Sequence, residues 1–187
     1  SLISVFLAIF LGSGLIPKEI ERRTIFKIVS KPITRSTFVV GRFVGNWVTV
    51  LFVTAMMAIL LALQFVVDGT PLKMPVLVAI IGLILEVTVI SAVSFVFASS
   101  ASQFVTVVCT VGLYFIGHMA NDLYRMAAKS QSEMINVVGK SLYYVLPNLD
   151  RLDWKARATY AEITPWSELG SSTVYALGYS VVMLTIA

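Results

Sequence analysis

Cysteine, histidine and charge are all scarce in this sequence. Its one cysteine, Cys109, excludes an intrachain disulfide framework. Set inside an apolar run, that residue reads as a small buried hydrophobe. Its one histidine, His118, excludes a multi-histidine metal cluster, and beside Asn121 and Asp122 it reads as a packing histidine at a membrane interface in preference to a proton relay. HExxH, GxSxG and CxxC patterns are missing, so no catalytic residue and no metal ligand is assigned. Gly139, Lys140 and Ser141 look like the end of a phosphate-binding loop, but Met134 stands where the earlier glycine belongs. Charged residues make up 13% of the chain against 58% hydrophobic, outside the usual range for a soluble domain. The net charge of +4 is gathered in one segment between apolar runs, a pattern of membrane topology rather than of nucleic-acid binding.

Uninterrupted apolar length is abundant, and the mean hydropathy is +0.89. Five windows stand out, at 1–16, 44–67, 76–98, 104–120 and 171–187. At a helical rise of about 1.5 Å per residue, the second and third each reach about 35 Å, enough to cross a hydrocarbon layer of about 30 Å. The expectation is an all-α, polytopic transmembrane helix bundle forming one membrane domain over 1–187. Both terminal windows stop at the chain ends, so both read as cut spans and the chain as a fragment.

Charge orients the bundle. Residues 17–43 carry Lys18, Arg22, Arg23, Lys27, Lys31, Arg35 and Arg42 against Glu19 and Glu21, and are expected on the cytoplasmic side. By alternation, the long stretch 121–170, where basic and acidic residues balance, is expected outside.

Three features invite a functional reading. The basic segment reads as an amphipathic surface helix beginning at Pro17 and ending at Lys31 and Pro32. The residues alone leave it either a topology-setting loop or a docking surface for a cytosolic partner. Glu86 lies in the middle of an apolar window, where an ionised group facing lipid costs at least about 2.5 kcal/mol. It is therefore expected to face protein or water, with Thr88, Ser91 and Ser94 available to it, as helix glue or as part of a transport path. Finally, 121–170 is too patterned for a connector. Ser130 with Glu133 makes a capping box, an apolar stripe follows, and Pro147 stops that helix before LPNLDRLDWK.

The order of these features carries a resemblance. GSGLIPKEIERRTIFKIVSKPITRSTFVVGRFVGN, followed far downstream by YYVLPNLDRLDW, resembles type-2 ABC exporter permeases. It is similar in particular to the branch of multicopper-enzyme maturation permeases that includes the membrane subunit for nitrous-oxide reductase maturation. The resemblance runs from the family's second span into its sixth, which places the first span and the end of the sixth outside this stretch. It implies that 19–35 is the coupling region touching a separate ATPase subunit that binds ATP and Mg. The implied coupling surface is Glu19, Glu21, Arg22, Arg23, Thr24, Lys31, Pro32 and Arg35. It implies external helices around Pro147, Asn148, Asp150 and Asp153, pairing with a second permease subunit, and residence in a bacterial inner membrane. No cofactor is expected on this chain, and copper handling has no support in a lone cysteine, a lone histidine and scattered methionines. Two other classes compete: an ATPase-independent membrane scaffold or assembly factor, and a proton-coupled secondary transporter using Glu86.

Overall fold

The computed structural model describes residues 2–21, 35–69, 71, 73–129, 133–160 and 165–187. Every regular element among them is helical: α1 (Leu2–Glu21), α2 (Arg35–Val67), α3 (Met74–Ser100), α4 (Gln103–His118), α5 (Ala120–Lys129), α6 (Glu133–Val145), α7 (Lys155–Thr159) and α8 (Trp166–Ile186). A 3-10 turn at Asp150–Leu152 precedes α7. Among the described residues, three stretches are long and apolar enough to cross a membrane, Val40–Val67, Met74–Ser100 and Trp166–Ile186. The α4 and α5 pair makes a fourth if it counts as one span bent by 60°.

Buried side chains fix which helix is central. In α3, 56% of the membrane-length window is buried, against 11% in α2 and 17% in α8. A helix apolar on all sides is suited to that place, and α3 packs against α1, α2, α4, α7 and α8. Its register with its neighbours follows from particular contacts. Trp47 donates to Thr88 Oγ1 at 2.9 Å while Phe43 meets Phe95 edge to face, so α2 runs antiparallel to α3. Ser94 Oγ donates to the Ile9 carbonyl at 3.3 Å, tying α1 to α3. Ser4 faces Met57 and a Cβ on Gly12 would lie 3.7 Å from Asn46 Nδ2, so α1 and α2 are also antiparallel.

This alternation places the end of α1, the start of α2 and the α3–α4 turn at one end of the bundle. The described residues of 120–160 lie at the other.

One expected boundary is corrected. Pro17 does not open a separate helix, because α1 continues through it to Glu21. A proline inside a helix gives up one backbone hydrogen bond, here to the Ser13 carbonyl, and membrane helices tolerate this more readily than exposed ones. The expected capping residue Ser130 and the span 22–34 lie outside the described residues.

Candidate functional site

Glu86 is completely buried, halfway along α3. Of the hydroxyls expected for it, Ser91 Oγ is buried without a hydrogen-bond partner among the described residues, and Thr88 and Ser94 are engaged elsewhere. Thr88 donates to the Ile84 carbonyl at 2.7 Å and accepts from Trp47, and Ser94 is bonded to Ile9. Basic groups meet Glu86 instead. Lys155 Nζ lies 3.1 Å from Glu86 Oε2, and His118 Nε2 lies 3.3 Å from Oε1. The same two side chains face Asp153, at 3.4 Å from Lys155 Nζ and 3.9 Å from His118 Nε2. Neither Glu86 oxygen has a well-aligned hydrogen bond among the described residues, so charge carries these contacts.

The reading of His118 as a packing histidine is thereby corrected. Its ring does pack, tilted against Tyr114 at 4.5 Å between centroids, but Nδ1 is bonded to a backbone carbonyl and Nε2 lies beside two carboxylates. Nδ1 lies 3.0 Å from the Tyr114 carbonyl oxygen, which can only accept, so Nδ1 carries a proton. Nε2 lies within 4.0 Å of both carboxylates, without a well-aligned hydrogen bond to either.

Two glycines explain how Asp153 and Lys155 reach so far into the bundle. A Cβ on Gly82 would stand 2.5 Å from the Leu152 carbonyl oxygen and 2.9 Å from the Trp154 ring. A Cβ on Gly117 would stand 2.7 Å from the Pro147 carbonyl oxygen and 2.9 Å from Leu149. The missing side chains let the backbone of 147–154 lie directly on α3 and α4, and Leu149 N–H donates to the Gly117 carbonyl at 3.1 Å. Leu149, Leu152 and Trp154 are buried there as part of the main core.

Polar contacts stitch the rest of this segment. Asn148, itself buried, donates its backbone N–H to the Tyr175 hydroxyl at 2.8 Å. Its amide nitrogen donates to Asn121 Oδ1 and to the Tyr143 hydroxyl, and its Oδ1 accepts from Arg151 N–H. Asn121 also donates to Asp150. Arg151 donates to Ser171 Oγ at 2.9 Å with its guanidinium 5.8 Å from the centre of the Tyr175 ring, and Arg157 pairs with Glu168 at 2.5 Å. Above these contacts opens a polar cavity of about 480 Å³, with Asp153, Trp154, Arg157 and Ser172 in its wall.

The expected residues therefore divide into two groups. Pro147, Asn148, Asp150 and Asp153 are brought together on the ends of α3 and α4, joined to Glu86 through Asp153. Of the coupling candidates, Glu19 and Glu21 close α1 and Arg35 opens α2. Arg22, Arg23, Thr24, Lys31 and Pro32 lie outside the described residues. Sequence reasoning missed Lys155, Tyr114 and the true partner of His118. The usable signal was the need of a mid-span carboxylate for a countercharge, set beside the LDWK sequence downstream.

Among the described residues, no group of three or more His, Cys, Asp or Glu side chains is arranged to hold a metal ion. The family model described as ABC-2 family transporter protein matches residues 1–186. No curated protein and no solved structure matches the chain.

Proposed function

Since this chain belongs to the ABC-2 transporter family, matched across 1–186, and is thus a multi-pass membrane permease component of an ABC transporter, we propose that it couples ATP hydrolysis on a separate subunit to movement across a membrane. ATP and Mg belong to that partner, and two copies of the permease pair to form the path. The family match is the observation that carries this reading.

The helix ends support the rest. The strongly basic connection leaves α1 after Glu21 and enters α2 at Arg35, at the end of the bundle opposite residues 147–157. By the positive-inside rule that end is cytoplasmic, where an ATPase would dock. Glu19, Glu21, Arg22, Arg23, Thr24, Lys31, Pro32 and Arg35 are the proposed contact, acting by electrostatics and by mechanical transmission. The opposite end is then external, in a bacterial inner membrane. The resemblance of the basic segment and of YYVLPNLDRLDW to the multicopper-enzyme maturation branch supports membership of that branch as a proposal, without naming a cargo.

The test is co-purification and reconstitution. An ATP-hydrolysing subunit should remain bound in detergent, and its activity should rise when the permease is present. Arg22→Glu with Arg23→Glu is expected to lower that stimulation about tenfold, equivalent to about 1.4 kcal/mol of coupling, with membrane insertion unchanged. A permease that retains no ATPase points to a scaffold instead. Transport driven by a proton gradient without ATP, and lost in Glu86→Gln, points to a secondary carrier.

A further inference from the structure

We infer that Glu86, His118, Asp153 and Lys155 form a proton-dependent latch that holds residues 147–157 inside the helix bundle. The argument begins with charge. Two carboxylates and one ammonium leave one uncompensated negative charge if the imidazole is neutral, and none if it is an imidazolium. The geometry makes that difference matter. Nδ1 of His118 is committed to the Tyr114 carbonyl, so a second proton has its place on Nε2, which faces Glu86 at 3.3 Å and Asp153 at 3.9 Å. With that proton the cluster is neutral, and each carboxylate lies within 4.0 Å of two cations. Without it, two carboxylates share one ammonium around a fully buried Glu86, an arrangement that low-dielectric surroundings penalise heavily.

The groups facing His118 come from every side. Glu86 belongs to α3, Asp153 to the link after the 3-10 turn, Lys155 to α7 and Tyr114 to its own helix. Glu168 of α8 is paired with Arg157 at 2.5 Å. Protons also have a way in. Glu86 is sealed, whereas Asp153 is 29% exposed and lines the 480 Å³ cavity, and His118 is 21% exposed.

The latch also has a moving side. Asp153 and Lys155 sit on the inserted segment, while Glu86 and His118 sit on α3 and α4. Loss of the proton is relieved when the segment withdraws, because the carboxylates separate and water reaches Glu86. The cover formed by Leu149, Leu152 and Trp154 over Gly117 and Gly82 lifts with it. This device concerns the end of the bundle opposite the proposed ATPase contact, and it adds to the permease reading without depending on nucleotide.

The experiment is cysteine protection in the assembled transporter, in membrane vesicles and with Cys109→Ser as background. Leu152→Cys, at a fully buried position, reports the inserted segment. Tyr160→Cys, at a position 78% exposed, corrects for the intrinsic pH dependence of thiol alkylation. An impermeant maleimide is applied to the face carrying these residues between about pH 5 and about pH 8, where imidazole changes charge. The ratio of Leu152→Cys to Tyr160→Cys labelling is expected to be low at the acidic end and to rise about tenfold towards the alkaline end. Glu86→Gln removes one negative charge, so the ratio should stay low throughout. His118→Gln can never become cationic, so the ratio should stay high throughout. Leu149→Cys, buried on Gly117, repeats the measurement if Leu152→Cys fails to accumulate. A flat ratio in the otherwise native chain, or a His118→Gln chain that still responds to pH, overturns the latch and leaves the permease assignment untouched.

Discussion

Glu86 and Lys155 show how a single buried charge governs its surroundings. Lys155 Nζ, at 3.1 Å, is the nearest cation to a carboxylate with no access to solvent. Lys155→Ala leaves that carboxylate short of charge and is expected to destabilise the protein by about 3 kcal/mol, the lower end for breaking a buried pair. Thermal inactivation in detergent measures the loss. The double variant Glu86→Gln with Lys155→Ala should recover much of it, because the stranded charge is gone; a double variant as unstable as the single one would contradict the pairing. From the sequence, Glu86 was recognisable as a residue needing protein or water around it. Its partners were not, since Lys155 is 69 positions away and nearby Thr88 and Ser94 were better placed along the chain.

At the scale of elements, the meeting of 147–154 with α3 and α4 rests on two absent side chains. Gly82→Ala would put a methyl group against the Leu152 carbonyl and Trp154, and Gly117→Ala one against the Pro147 carbonyl. In both cases the obstacle is partly backbone and cannot swing aside, so each is expected to cost about 1 to 3 kcal/mol and to raise alkylation of Leu152→Cys. Gly178→Ala in α8 is the contrast. Nothing lies within 4 Å of its Cβ, and the higher helix propensity of alanine should make it neutral or stabilising by up to about 1 kcal/mol. Thermal shifts of the three variants, compared side by side, check this. The helical windows themselves were legible from apolar length, and the stop of α6 from Pro147. The continuation of α1 through Pro17 was not, because a proline reads locally as a start or a stop, whereas helix neighbours decide whether the lost hydrogen bond is tolerated.

For the whole molecule, orientation is the property to test. A chain with Cys109→Ser and Tyr160→Cys should react with an impermeant reagent from outside intact cells. Labelling that requires permeabilisation would invert the proposed topology. Asn148 would be a poor reporter, because it is buried and bonded to Tyr175, Tyr143 and Asn121. The sequence by itself determined that the chain is a helical membrane bundle with one strongly basic end, because apolar length and charge asymmetry are local quantities that bilayer energetics read directly. Tertiary structure alone decided that α3 is the central helix, that Gly82 and Gly117 admit the downstream segment, and that Glu86, His118, Asp153 and Lys155 meet. The reason is physical: electrostatic partnership and close approach depend on distances through space, and four residues spread from 86 to 155 acquire those distances only once the helices pack.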